Sequence, residues 1–244
     1  MSVLDAATLM RHADIIRTLT EHGVNPNDAG SDGKTALYKA VYHGRADPAT
    51  IQLLLSVGAD IDASTSEGGT LLHWAATSSK TSDTTALLLR YGANKDVVDG
   101  QGRSPVYFAA MRGHLATLRA LLAAGADATL RSGTLLISAP LDIAAYCGNI
   151  DIVVELVRHG VDVNAADGSG YTALYHAAGA GMTGVAEALV HAGASLTAVT
   201  FWGKTPLIAA TSSLSIGVMR VLLQHGASVR GSQGKGLMMI GTEP

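Results

Sequence analysis

Aromatic side chains are scarce in this 244-residue sequence: two Trp, two Phe and seven Tyr, or 5% of the chain. A core cannot then be assembled around large rings. With hydrophobic residues at 48%, it must be built mainly from Ala, Leu, Val and Ile, which favours closely stacked helices over a β-sandwich. Charge is also sparse, at 15% against the usual quarter or so. The formal net charge of -3 gives no bulk attraction to nucleic acid or anionic lipid. There is one cysteine, Cys147, which excludes an internal disulfide framework and a thiolate metal cluster and suits a reducing compartment. Long apolar runs are missing too. The opening "MSVLDAATLMRHADIIRTL" is broken by Asp5, Arg11 and Asp14, unlike a signal peptide. No segment approaches the roughly 18 apolar residues needed to span a bilayer.

What the sequence has instead is repetition. "SPVYFAAMRGHLATLRALLAAGAD" (Ser104 to Asp127) has a counterpart in "TALYHAAGAGMTGVAEALVHAGAS" (Thr172 to Ser195). Seven glycines close such segments: Gly23, Gly58, Gly92, Gly125, Gly160, Gly193 and Gly226, separated by 35, 34, 33, 35, 33 and 33 residues. Tetrapeptides follow them in register: "TALY" at Thr35, "TLLH" at Thr70, "SPVY" at Ser104, "APLD" at Ala139, "TALY" at Thr172 and "TPLI" at Thr205. Each starts 12 residues after the preceding glycine, except Ala139, which starts 14 after Gly125. A near-constant period of this size predicts a stacked array and overrides any domain count taken from length.

Each unit reads as two short antiparallel helices. In Ser104–Gly125, Val106, Ala109 and Ala110 recur at helical spacing, and Leu115, Leu118, Leu121 and Leu122 do so again after Gly113. The first helix is thin with Ala and the second wide with Leu. Gly125 suits a left-handed C-cap. Pro105, Pro140 and Pro206 fall in the first turn of their helices, and the Ser or Thr before such a helix is its N-cap. Turn words such as "DGQG" and "DGSG" separate the units. So short a pair buries its apolar face only against the next pair.

The period and the T-P-L-H-x-A-like words resemble ankyrin repeats. The resemblance runs from Leu4 to about Arg230, with units near 1–29, 30–64, 65–98, 99–131, 132–166, 167–199 and 200–230. The first matches from its middle onward. It implies an all-α repeat solenoid: an ankyrin-type array of antiparallel helix pairs joined by short β-hairpin fingers, forming one domain over 1–230. It also implies a concave side, lined by fingers and first helices, where such arrays hold their partners.

Chemistry is hard to find. Of nine histidines, His22, His159, His191 and His225 stand just before closing glycines, where a cation suits the helix dipole. His12 and His114 fill a "GH"-type slot and His73 the last slot of "TLLH", architectural positions by the resemblance. His43 and His176 break the pattern, and of these only His43 is expected to project toward the concave side. "GSQGKG" (231–236) fails the phosphate-loop pattern, with Val229 where the first glycine belongs and Gly236 where Ser or Thr is needed. Cys147 has no histidine placed by the repeat to activate it. Asp99 and Asp167 open fingers and are expected to bond local backbone. No catalytic residue, cofactor site or metal site is expected.

Binding residues are better sought where the scaffold leaves the sequence free, at the finger tips and after the Ala-Ala pairs. These positions hold Tyr42 and His43, Arg103, Met111 and Arg112, Tyr146, Tyr171, Phe201, Trp202 and Lys204. Five of the chain's 11 aromatics lie on this path. Tyr, Trp, Met and Arg are the types enriched at binding hot spots. Trp74 and Phe108 occupy Leu-type slots and are expected in the core. "TLRSGTLLISAPLD" lengthens one finger, putting Leu135, Leu136 and Ile137 on its tip. "GRADPAT" and "SSKTSDT" insert loops.

The expected function is a non-catalytic scaffold, intracellular and cytoplasmic in preference to nuclear, binding a protein or peptide as a monomer, without nucleic acid or membrane insertion. The alternative is a substrate-recruiting segment of a larger enzyme such as a ubiquitin ligase or kinase. After Arg230 a Gly-rich tail, 231–244, carries Leu237, Met238, Met239 and Ile240. Either these cover the last pair or the array continues. Gly231, Gly234, Gly236 and Gly241 make an ordered cap entropically costly, which favours continuation.

Overall fold

Among the described residues, a first helix of seven or eight residues is followed by a nine-residue second helix seven times. The computed structural model describes residues 2–43, 47–77, 82–133, 137 and 139–229. The pairs are α1 (Val3–Leu9) with α2 (Ala13–Glu21), α3 (Ala36–Tyr42) with α4 (Pro48–Ser56), α5 (Leu71–Thr77) with α6 (Ser82–Arg90), and α7 (Pro105–Arg112) with α8 (Leu115–Ala123). They continue as α9 (Pro140–Cys147) with α10 (Ile150–Arg158), α11 (Ala173–Gly179) with α12 (Thr183–His191), and α13 (Pro206–Ser212) with α14 (Ile216–Gln224). The opening segment therefore holds both helices of a pair. Its first helix lacks the repeat's tetrapeptide and starts instead on a capping box between Ser2 and Asp5.

The caps fall where the sequence puts them. The hydroxyls of Thr35, Ser104, Thr172 and Thr205 accept the backbone N–H three residues on, at 3.2–3.3 Å, each worth about 1 kcal/mol. Gly125 closes α8 with φ +77°. Its N–H donates to the Leu122 carbonyl and the Ala126 N–H to that of Leu121, the paired bonds of a Schellman cap.

The fingers are tight turns, and no strand forms among the described residues. In Asp99–Arg103 the Asp99 N–H donates to the Arg103 carbonyl and the Gly102 N–H to the Asp99 carbonyl. Asp99 Oδ1 accepts from the N–H groups of Gln101 and Arg103, both at 2.9 Å, as its place at the finger start predicts.

The chain divides after Ala144, within α9, into two compact units. In the first, α1, α3, α5 and α7 pack in succession, with α2 on α4 and α6 on α8. In the second, α11 packs on α13, and α12 on both α10 and α14. The Ala pairs are the thin element that lets first helices approach: Ala75, Ala76, Ala109, Ala110, Ala177 and Ala178 are fully buried. Leucines from the second helices, such as Leu54, Leu88, Leu118, Leu121 and Leu189, fill the space behind them.

Two polar devices add to this packing. Asn27, Asp62 and Asp96 in the first unit each accept a backbone N–H from the next pair's loop, at Asp60, Asn94 and Asp127. Asn164 does the same for Ser195 in the second. Separately, the buried Lys39 ammonium pairs with Asp5 at 2.8 Å and Asp32 at 3.0 Å. Burial works against both charges, but the pairing outweighs it. The Asp5 carboxyl is held below, and the Lys39 ammonium above, its ordinary range.

Parts of "GRADPAT" and "SSKTSDT", Leu135 and Leu136 of the lengthened finger, "GSQGKG", and Leu237–Ile240 lie outside the described residues. Ile137 is half-buried, and its carbonyl accepts a hydrogen bond from the Tyr107 hydroxyl.

Candidate partner-binding site

Two fingers of the second unit are locked together through their backbones. Asp167–Tyr171 repeats the geometry of Asp99–Arg103, with Asp167 Oδ1 accepting from Ser169 and Tyr171. Thr200–Lys204 is the next finger, and its Phe201 N–H donates to the Ser169 carbonyl at 2.8 Å. Gly170 has φ +79°, and a Cβ on it would stand 2.7 Å from the Val199 carbonyl oxygen. Glycine there satisfies both the turn and the close approach of the neighbouring finger.

This scaffold holds the tip side chains outward. Phe201 is 80% exposed and Trp202 61%, values that decide against a core role. They do not stand alone. Phe201 packs edge-on to Trp202 (ring centroids 5.8 Å apart), and Trp202 lies 6.0 Å from Tyr171. Tyr171 meets Tyr175 edge-on at 4.8 Å and stacks on His176 at 5.6 Å. Five rings thus form one shelf running from the finger tip to α11. Beside it, between α11 and α13, lies a concavity of about 260 Å³ lined by Tyr175, Gly179, Lys204, Ala209, Ser212 and Ser213. Tyr146, at the end of α9, is exposed.

The first unit carries a second aromatic group. Tyr42 and His43 are exposed, and the Tyr42 ring is 5.2 Å from Trp74 and 5.3 Å from His43. The Lys34 ammonium sits 4.5 Å from the Tyr42 centroid, a cation–π contact. Trp74 is half-buried, not fully enclosed as its slot suggested, because its ring is turned against exposed Tyr42. Phe108 is buried. Met111 is half-buried and Arg112 exposed.

Arg103 has strong intramolecular commitments. Its guanidinium pairs with Asp99 Oδ2 at 2.6 and 2.8 Å and lies 4.6 Å from the Phe108 centroid. Burial alone would raise the Asp99 carboxyl, but Arg103 and the finger N–H groups hold it below its ordinary range. His73 is buried against Thr70, whose N–H donates to its Nδ1. Burial pushes its imidazole below the usual range.

The sequence missed Tyr38 and Tyr175. Both end a "TALY" word, in the slot that holds His73 in "TLLH", so an aromatic in that slot was the available signal. It also placed His176 off the surface path, whereas its ring belongs to the shelf. Among the described residues no group of three or more His, Cys, Asp or Glu side chains is placed to hold a metal ion. Nor is any helix among them long and apolar enough to cross a membrane.

Models of ankyrin repeats match residues 3–55, in a many-copy form, and residues 46–132 and 141–233, in a three-copy form. The chain belongs to the ankyrin repeat family. These ankyrin repeats are 33% identical over 166 residues to the B-cell lymphoma 3 protein homolog of Mus musculus, covering 65% of this chain and 36% of that protein. They are 30% identical over 163 residues to a transient receptor potential cation channel subfamily A member 1 homolog of Caenorhabditis elegans, covering 66% of this chain and 13% of that protein. The chain thus spans well under two thirds of either relative. The crystal structure of the ankyrin repeat domain of Bcl-3 superposes with a TM-score of 0.80 at 25% identity, covering 91% of this chain and 98% of that one. The all-α ankyrin array expected from the repeat is the fold. Ankyrin repeat domains are non-catalytic modules of protein–protein interaction.

Proposed function

We propose that the protein is a non-catalytic, monomeric intracellular scaffold that holds a partner protein or an extended peptide on the side carrying its finger tips and first helices. The observation that carries this reading is the shelf of exposed Phe201 and Trp202 against half-buried Tyr171, on fingers tied by backbone hydrogen bonds. Large rings held rigidly in water supply contact area at low entropic cost. Nothing in the fold requires Phe201 and Trp202 to be aromatic, since a tight turn is made equally by Asp99–Arg103, with Gly100 and Gln101 at those places. With a net charge of -3 and few clustered cations, a protein partner is favoured over nucleic acid. The reading is tested with a peptide selected from a random library on the immobilised full chain. Replacing both Phe201 and Trp202 by Ala weakens its binding by at least about 2 kcal/mol, with an unchanged urea midpoint. Normal binding with a lowered midpoint would assign the two rings to the fold and place the site elsewhere.

A second reading is a recruiting segment within a larger enzyme or membrane protein. It is favoured by the short span, 13%, that the chain covers of one relative. The binding surface is the same in both.

A further inference from the structure

The concavity between α11 and α13 has a composition that selects among peptides. We infer that it takes an acidic side chain of an extended partner peptide, held by Lys204, while a neighbouring apolar residue of that peptide lies on Trp202 and Phe201. This rests on the reading that the finger side is the binding side.

Size comes first. About 260 Å³ is below the roughly 300–1,000 Å³ of small-molecule sites and suits one side chain with its adjoining backbone. Gly179 and Ala209 are its smallest lining residues, and a Cβ on Gly179 would meet nothing within 4 Å, so backbone has room to approach there. Tyr175 forms the wall shared with the aromatic shelf.

Charge comes second. Lys204 is the one charged side chain of the six that line the site. Among the described residues its ammonium enters no ion pair, whereas Lys39, Lys95 and Arg103 each have a carboxylate within 4 Å. An exposed ammonium beside an apolar shelf is complementary to a carboxylate flanked by a large apolar residue.

Hydrogen-bond polarity narrows the class further. Ser212 Oγ donates to the Ile208 carbonyl at 2.9 Å, while Ser213 Oγ lies 3.1 and 3.2 Å from the carbonyls of Ala178 and Ala210 and 2.8 Å from the hydroxyl of Ser215. Each hydroxyl has one proton: that of Ser212 goes to its own helix, and Ser213 is engaged by two carbonyls and a neighbouring hydroxyl. Ser212 Oγ therefore keeps acceptor capacity for an N–H group, which a peptide backbone supplies and a phosphate does not. One ammonium beside a hydroxyl acceptor fits a carboxylate-bearing peptide better than a phosphodiester chain, which recruits several cations.

The test uses random peptides displayed on phage and selected on the immobilised full chain, followed by fluorescence anisotropy of a synthetic, labelled copy of the most enriched sequence. Enriched peptides carry Asp or Glu beside an aromatic or large aliphatic residue. Lys204→Gln weakens binding roughly three- to fivefold, the scale of an exposed ion pair, while Lys204→Arg retains it. Changing the peptide's acid to its amide costs the same factor against the wild type and nothing against Lys204→Gln, a coupling that general damage to the fold cannot imitate. Enrichment of peptides without an acid, an equal loss in both backgrounds, or comparable binding of a labelled oligothymidine would overturn the inference. If the peptide responds to the Phe201 and Trp202 double substitution but not to Lys204, the finger reading stands and this one falls. If it responds to none of the three, or no peptide is enriched, both fall.

Discussion

The His73 imidazole donates its Nε2–H to the backbone carbonyl of Arg103 at 2.9 Å, across 30 residues of sequence. Its Nδ1 accepts the N–H of Thr70 at 3.0 Å, so the ring is a neutral Nε2–H tautomer. Tyr107 fills the same slot one unit on, and its hydroxyl reaches the Ile137 carbonyl at 3.2 Å, also across 30 residues. In these two units the slot ties the first helix to the following finger by one side-chain donor, and either residue type can supply it.

That equivalence gives a pH experiment. Burial, the largest influence on His73, disfavours the imidazolium and outweighs the carbonyl partner and the Asp99 charge that favour it. A folded-state pKa below the unfolded value of 6.5 means that the unfolded chain binds the extra proton first. Stability from this group is complete above pH 6.5 and is lost as pH falls from there through the folded value. His73→Tyr keeps a donor in the slot and removes the titration. Urea midpoints of the two proteins converge or cross as pH drops from 7 to 5, with the wild type falling faster. Parallel slopes would mean that His73 is protonated as readily when folded.

Much of this fold was legible because its period is written in residues with a steric job. Closing glycines need left-handed backbone, Thr and Ser cap helices, and Ala pairs must be thin, so each recurs wherever the job recurs. Phe201, Trp202 and Lys204 were found as departures from that grammar. What could not be read were contacts between positions the grammar treats as independent. The Asp5–Lys39–Asp32 cluster joins three residues that have no common motif, and α1 begins on a capping box in place of the repeat's word. Tyr175 looked like a filled architectural slot, and only its packing on Tyr171 puts it beside the concavity. The commitment of Arg103 to Asp99 and Phe108 was likewise invisible, because a charged tip residue reads the same whether it points outward or folds back.

Finger glycines separate two effects that sequence merges. Gly170 and Gly203 stand at equivalent places with φ of +79° and +70°, but only at Gly170 would a Cβ meet backbone, 2.7 Å from the Val199 oxygen, while at Gly203 nothing lies within 4 Å. Gly203→Ala should cost about 1 kcal/mol for the left-handed conformation alone. Gly170→Ala should cost at least about 1 kcal/mol more, since overpacking against backbone typically adds about 1–3 kcal/mol. Equal urea midpoints for the two variants would show that the fingers separate without penalty.

Leu214 runs the same logic in reverse. It has φ +55° and lies between α13 and α14, in the slot that Gly113, Gly148 and Gly181 fill with φ of +74°, +81° and +74°. At Gly181 a Cβ would stand 2.7 Å from the Ser215 hydroxyl of the next pair, so a side chain is disfavoured there on two grounds. At Leu214 the side chain is 83% exposed and only the backbone cost remains, roughly 1–2 kcal/mol for a residue with a Cβ. Removing the side chain forfeits little burial but frees the unfolded chain, which takes back roughly 0.5–1 kcal/mol. Leu214→Gly is therefore expected to stabilise the protein by about 0.5–1 kcal/mol, seen as a higher urea midpoint with an unchanged slope. The backbone bonds from Leu214 N–H to the Thr211 carbonyl and from Ile216 N–H to the Leu214 carbonyl need no side chain and persist. A lowered midpoint would show that the leucine, exposed as it is, holds the loop by contacts worth more than the strain it carries.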